Sequence, residues 1–285
     1  MAVRVRCITD PACVWSWAAE PAIRGLMVEF GEGLSWTFVM GGLAREFPPR
    51  AGEGQSGYVA QWLEACAVSQ MPVDPRIWYE APPSSSYPMC LAVKAAAEQG
   101  SGAVYRLLRA LREGTFCLRR KLDTTEALVE AARGAGLDAK RFRIDLGSHA
   151  IVEAFGADLE EARAAPAVAR DAGGNRCSAG QDDQRPPFPS FRFEGEDGRA
   201  AWVYGCPPGE DLRAAAVAAG AQPSGEPRPG VLEALKRFGR MAPVEVAAVC
   251  DLPAPKAEAE LSDLALQWRA RPVAVLAGRL WEPAG

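Results

Sequence analysis

Histidine is almost absent from this sequence, because His149 is the only one in 285 residues. The eight cysteines form no Cys-x-x-Cys pair, and none of them lies close to His149 along the chain. Structural zinc sites draw their ligands from such groupings, so the sequence argues against a zinc site. A glycine-rich phosphate-binding loop is also missing, and the sequence gives no sign of a metal, nucleotide or flavin cofactor.

Excess positive charge is lacking as well: 32 Lys and Arg residues stand against 36 Asp and Glu, which gives a net charge of −4. This balance argues against a general binder of nucleic acid or of anionic membranes. The longest apolar runs fall far below the roughly 18 residues needed to cross a bilayer. The opening residues, MAVRVRCITD, lack the apolar segment of a secretory signal. We therefore expect a cytoplasmic protein whose cysteines are mostly reduced and buried.

The first part of the chain predicts a β-α-β unit. Apolar patterning predicts strands over Val3–Thr9 and Leu34–Met40, with a helix over Trp17–Phe30 between them. A helical crossover makes the two strands parallel, so the turn after the first strand lies at their carboxyl ends. Ligands and reactive groups usually gather at that edge of an α/β sheet.

A helical block then interrupts the sheet. The pattern from Tyr58 to about Arg170 predicts helices at Tyr58–Ser69, Pro88–Gln99, Val104–Glu113, Thr125–Ala135, Ala139–Leu146 and Ala150–Arg163. Asp123 or Thr124 is a candidate N-cap. The segment Gly173–Pro187 is polar and rich in glycine and proline, which predicts a flexible stretch.

Strand patterns return after this block, at Ser190–Phe193 and Ala201–Tyr204, and predict an antiparallel hairpin followed by a helix at Glu210–Ala219. The order of elements predicts an α/β protein with a thioredoxin-like fold and a large all-helical insertion. Its thioredoxin-like domain would comprise residues 1–55 and 188–220, and the insertion residues 56–187.

The last part of the chain predicts a separate module over residues 226–285, after a linker at Ala221–Pro229. Helices are predicted at Val231–Phe238, Pro243–Cys250 and Pro255–Trp268, and a strand at Pro272–Leu280. This order is winged-helix-like. DNA binding is disfavoured, because eight basic and eight acidic residues cancel from Glu226 onward and the last helix is acidic. We expect a packing or interaction module.

The stretch with the clearest chemistry is Asp10-Pro11-Ala12-Cys13-Val14-Trp15-Ser16-Trp17, directly after the first strand. Cys13 falls where a helix begins, and the unpaired N–H groups and partial positive charge there favour a thiolate. The spacing Cys13-x-x-Ser16 is that of a thiol–disulfide redox turn with serine in place of the second cysteine. Cys7, on the preceding strand, alternates with Val3 and Val5 and is read as a core residue.

Three segments together resemble the DsbA-like thioredoxin-fold family, in its cytoplasmic branch of FrnE-type dithiol–disulfide isomerases and adaptors that deliver the regulator Spx to a protease. They are Asp10–Pro21, Ser85-Ser86-Tyr87-Pro88-x-Cys90 and Phe188-Pro189-Ser190-Phe191. The resemblance implies that Cys13 is the nucleophile and that Pro189 is a cis-proline facing it. Ser16 takes the place of the second cysteine, and a serine hydroxyl cannot resolve a mixed disulfide.

Two functions follow from this resemblance. In the first, Cys13 acts as a monothiol on a disulfide-containing or glutathionylated protein, and an external thiol such as glutathione releases it. Substrate would then contact residues around the groove, namely Trp15, Ser85, Ser86, Tyr87, Phe188 and Ser190. In the alternative, the chain is a non-catalytic adaptor that binds a protein partner. A kappa-class glutathione transferase is disfavoured, because those enzymes have serine at the position of Cys13. The physiological partner and the oligomeric state stay open.

Overall fold

The computed structural model describes residues 2–47, 55–165 and 185–284. Its first elements are strand β1 (Val3–Thr9), helices α1 (Val14–Ala18) and α2 (Glu20–Phe30), and strand β2 (Leu34–Met40). The two strands are parallel, in the register that pairs Val3 with Leu34. Both strands have the predicted bounds. The predicted helix is instead broken at Ala19, because Pro21 begins a new helical segment there.

The sheet is completed by an antiparallel hairpin of β3 (Ser190–Glu194) and β4 (Ala200–Tyr204). Strand β3 pairs antiparallel with β1, which gives the strand order β2-β1-β3-β4. Helix α10 (Gly209–Ala218) follows and packs against α2 and β4. The predicted thioredoxin-like, mixed α/β architecture is confirmed.

The insertion is helical, as predicted. Its helices are α3 (Ser56–Ser69), α4 (Ile77–Glu80), α5 (Tyr87–Ala97), α6 (Ser101–Phe116), α7 (Thr125–Gly134), α8 (Ala139–Leu146) and α9 (His149–Arg163). Thr124 caps α7 by accepting a hydrogen bond from the Ala127 N–H. The short helix α4 was not predicted. Most of Gly173–Pro187, the segment predicted to be flexible, lies outside the described residues.

The C-terminal module consists of α11 (Val231–Phe238), α12 (Pro243–Cys250) and α13 (Ala254–Leu266), followed by β5 (Ala270–Ala274) and β6 (Arg279–Pro283). The single strand predicted at Pro272–Leu280 is wrong, because Gly278, with φ of 104°, lies in a turn that makes it an antiparallel hairpin. The order of helices and hairpin is that of a winged helix, and this assignment stays a prediction.

The predicted linker Ala221–Pro229 contains no helix or strand, but it is anchored on α2. The Ser224 N–H donates to the Glu29 carbonyl at 2.8 Å, and Arg228 donates to the Gly25 carbonyl at 3.0 Å. These contacts tie the segment that leads into the module to α2, the second helix after Cys13. Within the described ranges, no helix has the length and apolar character to span a membrane.

Candidate functional site around Cys13

Cys13 lies at the carboxyl end of β1, where the predicted redox turn was placed. It is the N-cap of α1, with extended backbone angles, and its N–H donates to the Asp10 carbonyl at 3.2 Å. Its carbonyl accepts from the Trp17 N–H at 3.1 Å, which starts the helix. The local sequence thus folds as strand, tight turn and helix, with the thiol at the edge of the sheet.

The loop before β3 lies against Cys13. The Phe188–Pro189 peptide bond is cis, and the Cys13 thiol donates to the Phe188 carbonyl oxygen at 3.6 Å. The Ser190 hydroxyl donates to the Pro187 carbonyl at 2.7 Å. The structure thus joins two of the three segments that carry the resemblance. The proposed roles of Pro189, Phe188 and Ser190 toward a substrate stay predictions.

Gly41, at the end of β2, explains how the Phe188 ring fits beside the sheet. A Cβ atom at Gly41 would lie 2.0 Å from Cζ of Phe188, far inside van der Waals contact. The Phe188 ring therefore fits beside the sheet because Gly41 has no side chain. Arg185 lies over the Phe188 ring, with its guanidinium carbon 4.1 Å from the centroid.

Ser16 occupies the position of a second thiol, and its hydroxyl is already engaged. Its Oγ accepts a hydrogen bond from Thr9 Oγ1 at 2.8 Å, and Arg112 donates to the same Thr9 oxygen. Arg112 also donates to a Glu20 carboxylate oxygen at 2.5 Å. All four side chains are buried. The sequence could not predict this network, because Arg112 comes from the helical insertion.

The predicted lowering of the Cys13 pKa is wrong in direction. Cys13 is only 5% exposed, and burial raises the pKa of its thiol, because the anion loses hydration. Hydrogen bonds from the Ser16 hydroxyl and from the backbone N–H groups of Ser16 and Trp15 lower the pKa of Cys13, but by less than burial raises it. The Asp10 carboxyl raises this pKa further. The thiol is therefore the favoured form. Burial also raises the pKa of Cys7 to about 12, as expected of a core residue.

Asp10 connects the first and second of the resembling segments, a role that the sequence analysis missed. Its carboxylate accepts from the Ala12 N–H at 2.7 Å, the Leu43 N–H at 2.6 Å, the Ser86 hydroxyl at 2.9 Å and the Cys90 thiol at 3.2 Å. Burial raises the pKa of Asp10. The signal was available, because Ser86 and Cys90 are four residues apart and share one face of a helix.

The three residues at the start of α5 that were predicted to bind substrate differ in their contacts. Ser86 is fully buried between Asp10 and Ala44, so its hydroxyl is already used. Ser85 donates to the Ala44 carbonyl at 3.2 Å. The Tyr87 ring packs edge-on against Phe155, with ring centroids 5.0 Å apart. Substrate contact by this loop remains a prediction.

Aromatic side chains of the insertion cover the other side of the Cys13 turn. Trp15 and Trp17 belong to the same buried cluster as Cys13, which also contains Trp62, Trp78 and Phe116. Trp17 is a core anchor, because it stacks on Phe116 and its indole N–H donates to the Pro72 carbonyl at 2.9 Å. The Trp15 indole nitrogen is buried and has no hydrogen-bond partner within the described part of the chain.

The family follows from this fold and site together. A family model described as Thioredoxin matches residues 7–165, and the chain belongs to that family. The ClpXP adapter protein SpxH of Halalkalibacterium halodurans is 28% identical over 95% of this chain and 86% of its own length. The same adapter from Shouchella clausii is 28% identical over 96% of this chain and 86% of its own length.

Solved structures agree on the fold. The cytosolic disulfide reductase DsbM from Pseudomonas aeruginosa superimposes with a TM-score of 0.53 and 19% sequence identity, over 70% of this chain and 88% of its own. The chain therefore has a DsbA-like thioredoxin fold. The two adapters that match nearly its whole length support the branch of that family that contains Spx adaptors.

Proposed function

We propose that this chain is a protein-binding adapter for a ClpXP-type protease. The observation that carries the proposal is the closure of the Cys13 site. The thiol is buried with a raised pKa, and the hydroxyl at the second position of the turn is engaged with Thr9. A disulfide enzyme needs a thiolate that reaches a substrate sulfur and a second thiol that releases it. A docking protein needs neither.

The C-terminal module supports the same proposal. Glu245 on α12 pairs with Arg24 on α2 at 3.1 Å and with Arg109 on α6 at 2.7 Å, and all three side chains are buried. The module therefore presents a fixed surface beside the thioredoxin-like domain. The adapter from H. halodurans matches along 95% of the chain, so the match extends into this module.

The test is reconstituted proteolysis with ClpX, ClpP and Spx of H. halodurans, with that organism's SpxH as the positive control. We expect the chain to shorten the half-life of Spx several-fold, and Cys13→Ser to do the same, because docking does not use the thiol. Failure to bind Spx or to accelerate its degradation, while SpxH does both, would overturn the adapter proposal.

A second candidate is monothiol exchange by Cys13, which is favoured by its 3.6 Å contact with the carbonyl that precedes cis-Pro189. The Cys13 thiolate would attack the glutathione sulfur of a glutathionylated protein, so that a Cys13–glutathione disulfide forms and the protein thiolate leaves. A glutathione thiolate would then attack that disulfide, which releases oxidised glutathione and restores Cys13. The protein mixed disulfide is reduced to a thiol at the expense of one free glutathione, which leaves joined to the substrate's glutathionyl group as oxidised glutathione.

Alkylation of Cys13 separates the two candidates. Its labelling by iodoacetamide is followed by mass spectrometry from pH 6 to 10, against the half-buried Cys66 as an internal reference. The raised pKa of Cys13 predicts slow labelling at neutral pH that accelerates only above the usual range of about 8.5. Fast labelling with a midpoint well below that range would favour monothiol exchange.

A further inference from the structure

A cleft of about 900 Å³ lies between the helical insertion and the C-terminal module, away from Cys13. Its walls come from α2, α6, α7 and the end of α11, with β6 at one side. Seven arginines line it against two glutamates, in a chain whose net charge is −4. Such a concentration of one charge inside an acidic protein marks a place where anions are attracted.

Four of the seven arginines are committed to carboxylates. Arg24 and Arg109 pair with buried Glu245. Arg240 pairs with Glu113 at 2.7 Å, and both Arg240 and Arg271 pair with Glu282 at 2.5 Å. These pairs build the floor and one side of the cleft. Even so, the buried Nε of Arg109 has no hydrogen-bond partner among residues that the structure describes.

The other three arginines have no carboxylate partner in residues 2–47, 55–165 and 185–284. Arg106 donates to the Ala135 carbonyl at 3.2 Å, and Arg237 lies 5.1 Å from the Phe238 ring centroid. Arg120 contributes its side chain from the loop after α6. All three are exposed, and they reach the cleft from three different segments. Their charges are therefore available to a ligand.

The cleft is not purely charged, because Met27, Leu118, Leu122 and Phe238 also line it. Its volume falls within the range of small-molecule sites, about 300–1,000 Å³. Guanidinium groups bind phosphate through paired, charge-assisted hydrogen bonds. Separate arginines around one cavity suit several phosphates on one compact molecule better than the extended backbone of an acidic protein segment.

We propose that this cleft binds a small molecule that carries two or more phosphate groups on an apolar body, such as a nucleoside polyphosphate. The free arginines would hold the phosphates, and the apolar wall would contact the rest of the ligand. The absence of a glycine-rich phosphate loop does not argue against such a site, because these side chains come from segments far apart in the sequence and no short motif encodes them.

The test is calorimetric titration of the full chain with ATP at low ionic strength in the presence of EDTA, with tripolyphosphate, adenosine and hexaglutamate as comparison ligands. We expect ATP to bind more tightly than each of the other three. The double variant Arg120→Gln/Arg237→Gln should weaken ATP binding by at least about tenfold, since two charge-assisted contacts are lost. The control Arg143→Gln changes an exposed arginine of α8 that lies outside the cleft, and it should leave the affinity for ATP unchanged.

Three results with the parent protein would overturn the proposal, and a fourth comes from the double variant. The first three are no measurable ATP binding, equal affinity for adenosine or tripolyphosphate, and tighter binding of hexaglutamate, which would instead indicate an acidic protein segment. An unchanged affinity in a double variant with the circular dichroism and melting temperature of the parent would place any ATP binding elsewhere. Because none of these outcomes depends on Spx or Cys13, they are independent of the adapter proposal.

Discussion

The Ser16 hydroxyl accepts a hydrogen bond from the Thr9 hydroxyl at 2.8 Å, on the same turn of chain that carries Cys13. Thr9 in turn accepts from Arg112, which is paired with Glu20. The position that would hold a resolving thiol is thus the end of a buried polar chain. Where a dithiol turn has its second cysteine, this chain has a serine whose oxygen accepts the last hydrogen bond of the network.

Replacement of this oxygen by sulfur tests how far the turn has departed from a redox site. We expect Ser16→Cys to form a disulfide with Cys13 and to gain insulin-reducing activity, because the spacing becomes that of a dithiol turn. Activity is measured by insulin turbidity with dithiothreitol. Ser16→Ala, which loses the same hydrogen bond without adding a thiol, is the control. A folded but inert Ser16→Cys would mean that the closed groove, and not only the missing thiol, blocks exchange.

Substitution of Asp10 tests the carboxylate that joins the Cys13 turn to α5. We expect Asp10→Asn to lower the free energy of unfolding by about 1–3 kcal/mol, because an amide cannot accept all of these hydrogen bonds. Burial raises the pKa of Asp10 in the folded state, so the folded protein binds this proton more tightly than the unfolded chain does.

The contribution of Asp10 to stability is therefore full below its ordinary pKa of about 3.8 and declines as the pH rises through the raised value. The loss caused by Asp10→Asn should be largest near pH 4 and smaller toward pH 7, as measured by urea unfolding at each pH. A loss that grows with pH would contradict this assignment.

The contact between Gly41 and Phe188 predicts a steric conflict. Gly41→Ala should destabilise the fold by about 1–3 kcal/mol, because the methyl group meets the Phe188 ring. Gly134→Ala, in α7 with no atom within 4 Å of the added Cβ, should be neutral or slightly stabilising. Thermal and urea unfolding measure both. In the double variant Gly41→Ala/Phe188→Ala, the cost of the added methyl should largely vanish; strict additivity would exclude the clash as its cause.

The buried pairs of Glu245 predict a large effect from a single charge. Glu245→Gln removes the nearer of the two buried carboxylates that Arg24 and Arg109 share, while Glu20 stays 3.8 and 3.7 Å away. We expect a loss of about 3–5 kcal/mol in urea unfolding. The same change at Glu126, an exposed residue paired with Arg143, should cost less than about 1 kcal/mol. Equal effects at the two positions would show that burial does not set the strength of these pairs.

Local pattern predicted the fold well where each element depends on its own residues. Strands β1 and β2 alternate or become continuously apolar in a way that fixes their bounds, and α8, α11 and α12 begin and end at the predicted residues. Helix α4 is too short to show a period. The turn between β5 and β6 depends on the positive φ of Gly278, which a strand pattern does not reveal.

The candidate site was predictable only in part. The placement of Cys13 at the end of β1 followed from the order of strand, turn and helix. The raised pKa of its thiol did not, because burial comes from distant chain, including the aromatic cluster and the loop at Phe188. Arg112, which joins the pair of Ser16 and Thr9, likewise comes from the insertion, and no spacing along the sequence indicates that contact. Of the distant partners of Asp10, only Ser86 and Cys90 carry such a signal, through their spacing of four residues.

The charge pairs of Glu245 also bear on biosynthesis. Ribosomes deliver the chain from its N-terminus, so Arg24 and Arg109 emerge long before the Glu245 carboxylate. Until residue 245 leaves the exit tunnel, Glu20 is the one buried carboxylate that those two guanidinium groups share, and the face of α2 that α12 covers stays open to water. Closure of the nascent N-terminal part therefore waits for the last helices, and ribosomes stalled before Glu245 would carry a chain that is still open.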